Sequence, residues 1–339
     1  MRSVLIAAAA VVVAAVALPA QALEIKGAGA SFPAPLYYAW IEAYRSVQPD
    51  VAVRYESVGS GEGIDRFVAG AVDFGASDAA MSDKEIAKVE RGVVMIPATA
   101  GMVVVAYNIP GFEGDLRLSR AALAGIFSGE IKDWDDPRIL AANPGVAFPH
   151  RTIGLVARRD SSGTTFAFTN HLGAASGAWR DNGPGVGKLV RWPGGAMTAR
   201  GNEGVAARIR ISDYALGYVE YNFARQLSLP MALLENRDGV YVAPAAESGA
   251  AALASVVAEM PENGRQFLPD PAGGASYPIT SYTWLLLYKR YGDAAKRDAV
   301  RGFVDWGLGA GQEFSGKIGY IPLPESVAAR ARSLLASVE

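Results

Sequence analysis

The chain has 339 residues, with 32 basic and 34 acidic side chains, a formal net charge of −2 and no cysteine. That balance lacks the basic footprint of a nucleic-acid binder, and the missing thiols exclude disulfides, cysteine metal sites and thiol redox chemistry. Apolar content of 50% is too high for a disordered chain, and the length suits about two domains of ordinary size.

The elements follow in chain order. Arg2 is followed by an unbroken apolar run from Val4 to Leu18, then by Pro19-Ala20-Gln21-Ala22. This is the layout of a secretory leader, with cleavage expected after Ala22; the alternative is an uncleaved anchor, for which the run is short. No later stretch approaches roughly 18 consecutive apolar residues, so a soluble mature chain is expected. The absence of cysteine also removes a lipid attachment point, which fits a free periplasmic protein.

Gly27-Ala28-Gly29-Ala30-Ser31-Phe32 leads into Pro33 and Pro35, then Leu36, Ala39, Trp40, Ala43, Tyr44 and Val47. Those six positions share one helical face, and proline suits a first turn, so a helix is expected from near Pro33. Residues 51–58 alternate as a strand at Val51, Val53 and Tyr55, then give way to Gly59-Ser60-Gly61-Glu62-Gly63 and a helix through Ile64, Phe67 and Val68. Residues 72–78 read as a strand running into a loop, and Ser82 with Glu85 forms a capping box opening the next helix. Thr152 to Ala157 is a strand, and residues 158–165 lead into a helix through Phe166 and Phe168. The alternation of strand and helix predicts parallel-type α/β sheets. Gly- and Pro-rich stretches at 181–187, 192–195 and 269–274 punctuate the second half, the last a candidate hinge or domain crossing.

Three turns share one chemistry. A helix N-terminus presents unpaired N–H groups and the positive end of a dipole, small residues let an anion approach, and hydroxyls add donors. Ser31-Phe32, Ser60-Gly61 and Ser162-Gly163-Thr164 are such turns, and Arg158 could clamp an anion with its forked guanidinium. Taken singly, a Gly/Ser turn more often caps its helix than binds a ligand, Arg158 could lie in a surface pair with Asp160, and Asp78 could be an ordinary turn residue. No P-loop, dinucleotide fingerprint or nucleophile elbow is present. The two histidines are not in metal-ligand spacing: His150 falls in a loop, and His171 reads as a cap or surface residue of a helix.

At these turns the sequence resembles the phosphate-binding proteins of Pst-type ABC importers. The likeness runs through GAGASFPAPLYYAW (27–40), DFGASDAAMSD (73–83), IFSGEIKDWDDP (126–137), RRDSSGTTFAFTNHL (158–172), GYVEYNFA (217–224), YPITSYTWLLLYK (277–289) and LPESVAARARSLL (323–335). It implies an α/β fold of the periplasmic-binding-protein type: two doubly wound α/β domains joined by a hinge, with the ligand in the cleft. The first domain would comprise 23–103 and 275–339 and the second 104–274, with crossing strands near Met102–Tyr107 and Tyr277–Thr280.

The resemblance also implies phosphate contacts from Ser31, Phe32, Ser60, Asp78, Arg158, Asp160, Ser162, Gly163 and Thr164, with no catalytic residue, metal or cofactor. Ser31 stands where the family has threonine, Ser161 where it has glycine, and Arg159 is atypical. Asp78 would accept the proton that phosphate keeps at neutral pH and sulfate lacks, which disfavours sulfate. The partners implied are inorganic phosphate and a membrane permease with a cytoplasmic ATPase, the carrier acting as a monomer. The alternatives are a carrier for another tetrahedral oxyanion, a secreted phosphatase, and a surface protein that merely retains the fold.

Overall fold

The computed structural model describes residues 22–339. The leader expected over residues 1–22 and its anchor alternative lie, except for Ala22, outside this range. Among the described residues no helix is long and apolar enough to cross a membrane.

Among the described residues eleven strands occur in chain order: β1 (Leu23–Gly29), β2 (Val51–Ser57), β3 (Phe74–Ser77), β4 (Val93–Asn108), β5 (Arg117–Leu118), β6 (Gly154–Arg158), β7 (Met197–Ala199), β8 (Ala215–Glu220), β9 (Leu233–Glu235), β10 (Tyr241–Val242) and β11 (Thr280–Tyr288). Eight form one sheet in the order β2-β1-β3-β11-β4-β8-β6-β7, and β10-β9-β5 form a small second sheet. The outer pairings β1–β2, β1–β3, β6–β8 and β6–β7 are parallel, as strand–helix alternation predicts. The central pairings of β11 with β3 and β4, and of β4 with β8, are antiparallel. Local alternation does not register this, because β4 and β11 meet from nearly 200 residues apart in the chain.

β4 holds the sheet together. Residues 93–102 pair with β11, and from Val103 to Asn108 its partner becomes β8. Its sequence VVMIPATAGMVVVAYN is almost wholly buried, as a strand covered on both faces requires. Pro97 cannot donate to the ladder, and the register shifts opposite it between Thr283 and Trp284, so a bulge accommodates the proline. At the change of partner the Val103 N–H donates to the Ile279 carbonyl at 2.9 Å, which ties the segment before β11 to β4.

The first long helix runs Ala34–Val47 with Pro33 at its N-cap. Leu36, Trp40 and Tyr44 are buried as their spacing predicts. Val47 is 56% exposed, because the helix leaves the sheet surface in its last turn, and Tyr37 takes a core place the apolar periodicity did not assign. The Ser82–Glu85 capping box forms, although the helix it opens is only Asp83–Ile86. His171 is a correction. It is buried in the helix Gly163–Ala175, with Nδ1 2.9 Å from the Pro269 carbonyl, and burial lowers its pKa to about 4.

Candidate anion-binding site

The strand-to-helix turns converge. β1 ends at Gly29, whose left-handed φ of +153° brings its backbone so close to Ala76 that a side chain would collide with the Ala76 carbonyl. Ser31 and Phe32 follow, both buried, just ahead of the helix Ala34–Val47. The Phe32 carbonyl accepts the Tyr320 hydroxyl at 2.6 Å, which fixes the turn. Ser60 opens the helix Ser60–Val68, and Asp78 lies immediately after β3. Arg158 ends β6, and Ser162, Gly163 and Thr164 form the start of the helix Gly163–Ala175.

Hydrogen bonds tie these turns into one cluster. Ser60 Oγ accepts from the Gly163 N–H at 3.0 Å and from the Asp78 N–H at 3.3 Å. The Gly61 N–H donates to the Ser161 carbonyl at 2.9 Å. Gly163 is required here: a Cβ would lie 2.6 Å from both Asp78 Cβ and Ser60 Oγ. The Ser162 hydroxyl caps its helix by accepting from the Thr165 N–H at 3.1 Å, so capping and a site role coincide in one residue. The Ser161 side chain fills the space over Gly61, and Arg159 points to solvent.

Arg158 and Asp160 form a forked pair, with Nε to Oδ1 at 2.8 Å and an Nη to Oδ2 at 2.5 Å. This is no surface pair, since Arg158 is 2% exposed. The Arg158 main-chain N–H donates to the Tyr218 hydroxyl, and a guanidinium N–H reaches Thr164 Oγ1 at 3.4 Å. Burial opposes the charge on Asp160, but the hydrogen bond and charge of Arg158 outweigh it and hold the carboxyl below the usual carboxylate range.

Asp78 behaves oppositely. Burial pushes its carboxyl up to about 7, against the pull of the Thr283 hydrogen bond and the Arg158 charge. Thr283 Oγ1 donates to Asp78 Oδ1 at 2.9 Å, leaving the other oxygen for a further partner. A carboxyl titrating near neutrality amid hydroxyls, main-chain N–H groups and a guanidinium can share one proton with an anion and accept it or supply it.

All nine residues expected to contact the ligand therefore lie in this cluster. Three others there escaped the sequence reading. Thr283, in the Thr280–Thr283 half of β11 before its apolar run, supports Asp78. Asn202, fully buried at the start of the helix Gly201–Ile211, donates to Ser31 and to Thr164. Glu220, also fully buried, donates its main-chain N–H to Asn202 Oδ1 at 2.9 Å, and burial raises its carboxyl well above the usual range. Glu220 and Thr283 fall inside the stretches 217–224 and 277–289 that carry the family likeness, and Asn202 has the GNEG turn at 201–204, a Gly/Asn turn before a helix like the other three. Among the described residues no cluster of three or more His, Asp or Glu side chains could hold a metal ion.

Comparison with known proteins places this geometry in a family. Residues 14–310 match the model of the PBP superfamily domain. The phosphate-binding protein PstS of Pasteurella multocida is 41% identical over 312 residues, covering 92% of this chain and 89% of that protein. The chain belongs to the PstS family. PstS of Haemophilus influenzae is 39% identical, with 93% of each chain covered. Among solved structures, the phosphate-bound periplasmic phosphate-binding protein PfluDING superposes with a TM-score of 0.74 at 23% identity over 92% of this chain and 93% of its own. The phosphate-binding protein of Stenotrophomonas maltophilia gives 0.71 at 24% identity over 92% and 94%. These two likenesses show the periplasmic-binding-protein fold expected from the family.

Proposed function

We propose that this chain is a periplasmic, non-catalytic carrier that captures inorganic phosphate and delivers it to an ABC-type permease powered by a cytoplasmic ATPase. Family membership supports the role, and the position and titration of Asp78 carry the choice of ligand. Two bodies, 23–103 with 275–339 and 104–274, would close over the ion; the change of β4 partner at Met102/Val103 supports that division. The carrier would work as a monomer after removal of its leader at Ala22.

Binding follows from the groups present. Ser31, Ser60, Ser162 and Thr164 hydroxyls, the Phe32 and Thr164 main-chain N–H groups and Arg158 offer donors to the phosphate oxygens, while Gly163 lets the turns approach closely enough to meet the ion. Asp160 orients the guanidinium and offsets its charge, so the ion meets mainly neutral dipoles. Asp78 takes the proton of dihydrogen phosphate when ionised, or supplies its own to the hydrogen phosphate dianion when protonated. Sulfate, which carries no proton near neutrality, meets an ionised Asp78 as two opposed lone pairs.

Calorimetric titration of the phosphate-stripped mature protein with phosphate and with sulfate at pH 8 tests this reading. Tight one-to-one phosphate binding without a sulfate signal is expected. Comparable sulfate binding would assign the cleft to another oxyanion, and release of phosphate from a chromogenic ester would make the protein a hydrolase.

A further inference from the structure

Three of the four hydroxyls of the site, those of Ser31, Ser60 and Thr164, have their acceptor capacity consumed before any ligand arrives, whereas Ser162 Oγ accepts only from the Thr165 N–H. A hydroxyl has one proton and two lone pairs. Ser31 Oγ accepts from the Asn202 main-chain N–H at 3.1 Å and from Asn202 Nδ2 at 3.0 Å. Thr164 Oγ1 accepts from the same Nδ2 at 3.1 Å and from Arg158 at 3.4 Å. Ser60 Oγ accepts from Gly163 and Asp78, as described above. Each oxygen is left with its proton as the group free to be directed elsewhere.

Asn202 is the residue that does this for two of the three. Its amide cannot be reversed without loss, because Oδ1 accepts the Glu220 main-chain N–H at 2.9 Å and must be the acceptor end. Both protons of Nδ2 are then committed, one to Ser31 and one to Thr164. The side chain is fully buried, so water cannot replace either bond cheaply. Its two clients come from turns 133 residues apart in sequence, Ser31 before the first long helix and Thr164 in the helix Gly163–Ala175.

We propose that Asn202 is a positioning residue that fixes Ser31 and Thr164 as pure donors toward the bound anion, so that the site presents protons on every side except at Asp78. It does not touch the anion through the bonds described. It acts by denying the two hydroxyls any other use of their lone pairs, and so excludes a ligand that would need them as acceptors. This inference rests on the phosphate reading above.

The test is a double-mutant cycle. Inorganic phosphate is titrated into the phosphate-stripped parent, Asn202→Ala, Ser31→Ala and the double variant, each also melted in phosphate-free buffer. A parent that does not bind phosphate overturns the functional reading on which this inference rests. With a parent that binds, Asn202→Ala is expected to weaken phosphate on the order of tenfold to a hundredfold. Ser31→Ala should then add little, because its hydroxyl has already lost its direction; losses that multiply independently overturn the proposal.

Asn202→Asp keeps the shape and supplies a second reading should the alanine variant fail to melt cooperatively. An ionised carboxylate would draw the two hydroxyl protons to itself, whereas its protonated form can donate again. Arg158 from β6, Asp160 beside Gly201, Glu220 from β8 and Asp78 after β3 are the charged or titratable groups near that position, and all four are present in the parent too. The ratio of variant to parent affinity is therefore the readout. It should be lowest near pH 8.5 and recover toward pH 5.5; a ratio constant with pH means that position 202 only fills space, and the proposal fails.

Discussion

Asp78 and Asp160 sit in one cluster, both largely shielded from water, and titrate in opposite directions. Asp160 has a guanidinium locked across both its oxygens, which holds it ionised despite burial. Asp78 has neutral neighbours as its direct partners, with Arg158 acting on it only as a more distant charge, so burial dominates and its carboxyl rises to about 7. The difference shows that the nearest partner, more than depth, decides what a buried carboxylate does. Asp160 is a fixed charge that steadies an arginine, and Asp78, under the proposed function, is the proton-sharing group that meets the ligand.

The largest perturbation of that contrast is Arg158→Met. It removes a ligand donor and strands Asp160 without its counter-charge, so phosphate affinity should fall by about 2–5 kcal/mol in calorimetry, and the Asp160 carboxyl should rise toward the behaviour of Asp78. Next comes Gly163→Ala. A methyl there meets Asp78 Cβ and Ser60 Oγ at 2.6 Å, so it should separate the turns, cost about 1–3 kcal/mol of binding and return Asp78 toward an ordinary carboxylate titration. If affinity is unchanged, the close approach that buries Asp78 is not needed for capture.

Asp78→Asn acts more selectively. It removes the proton acceptor but keeps the shape, so the phosphate-to-sulfate affinity ratio should fall by more than phosphate affinity itself, which should drop by about 1–2 kcal/mol. Unchanged selectivity would show that Asp78 is not the discriminating group. In the parent, sulfate exclusion should weaken as pH falls through 7, where Asp78 becomes a donor.

The smallest effect is on the stability of the ligand-free protein. Asp78 binds its proton more tightly folded than unfolded, so its contribution to stability should be greatest below about pH 4 and decline as pH rises toward 7. Asp160, with its pKa lowered, contributes above the unfolded carboxylate range and loses that contribution as pH falls below it. Thermal melts across pH should show the first slope become shallower in Asp78→Asn, with the remainder due to the buried Glu220 carboxyl, while the acid-side loss persists.

What the sequence reveals of this site depends on how local each signal is. Ser31, Ser60 and the 158–164 run stand on glycine-rich turns before amphipathic helices, where local chemistry announces a helix N-terminus, and family resemblance then ranks them. Asn202 and Thr283 acquire their roles from partners 171 and 205 positions away, and a polar residue at a helix start or among the hydroxyls of a strand end gives no hint of such a partner. His171 was misjudged for a related reason: nothing in its own helix says that the 269–270 loop will cover it. The antiparallel centre of the sheet was equally hidden, since β4 and β11 pair across most of the chain. Whether Ser31 for threonine and Ser161 for glycine tune the ion preference is a question about the loop, and the observed packing of Ser161 on Gly61 makes steric fit its first effect.

The 16-residue strand β4 has a thermodynamic consequence. It carries one ladder at a time, with β11 up to Met102 and with β8 from Val103, so one continuous strand belongs to both portions of the sheet and melting either would fray the end of the other. Two chain segments that would otherwise denature as separate calorimetric units are thereby bound into one cooperative transition, and a scan of the ligand-free protein should trace a single heat-capacity peak whose calorimetric and van't Hoff enthalpies agree.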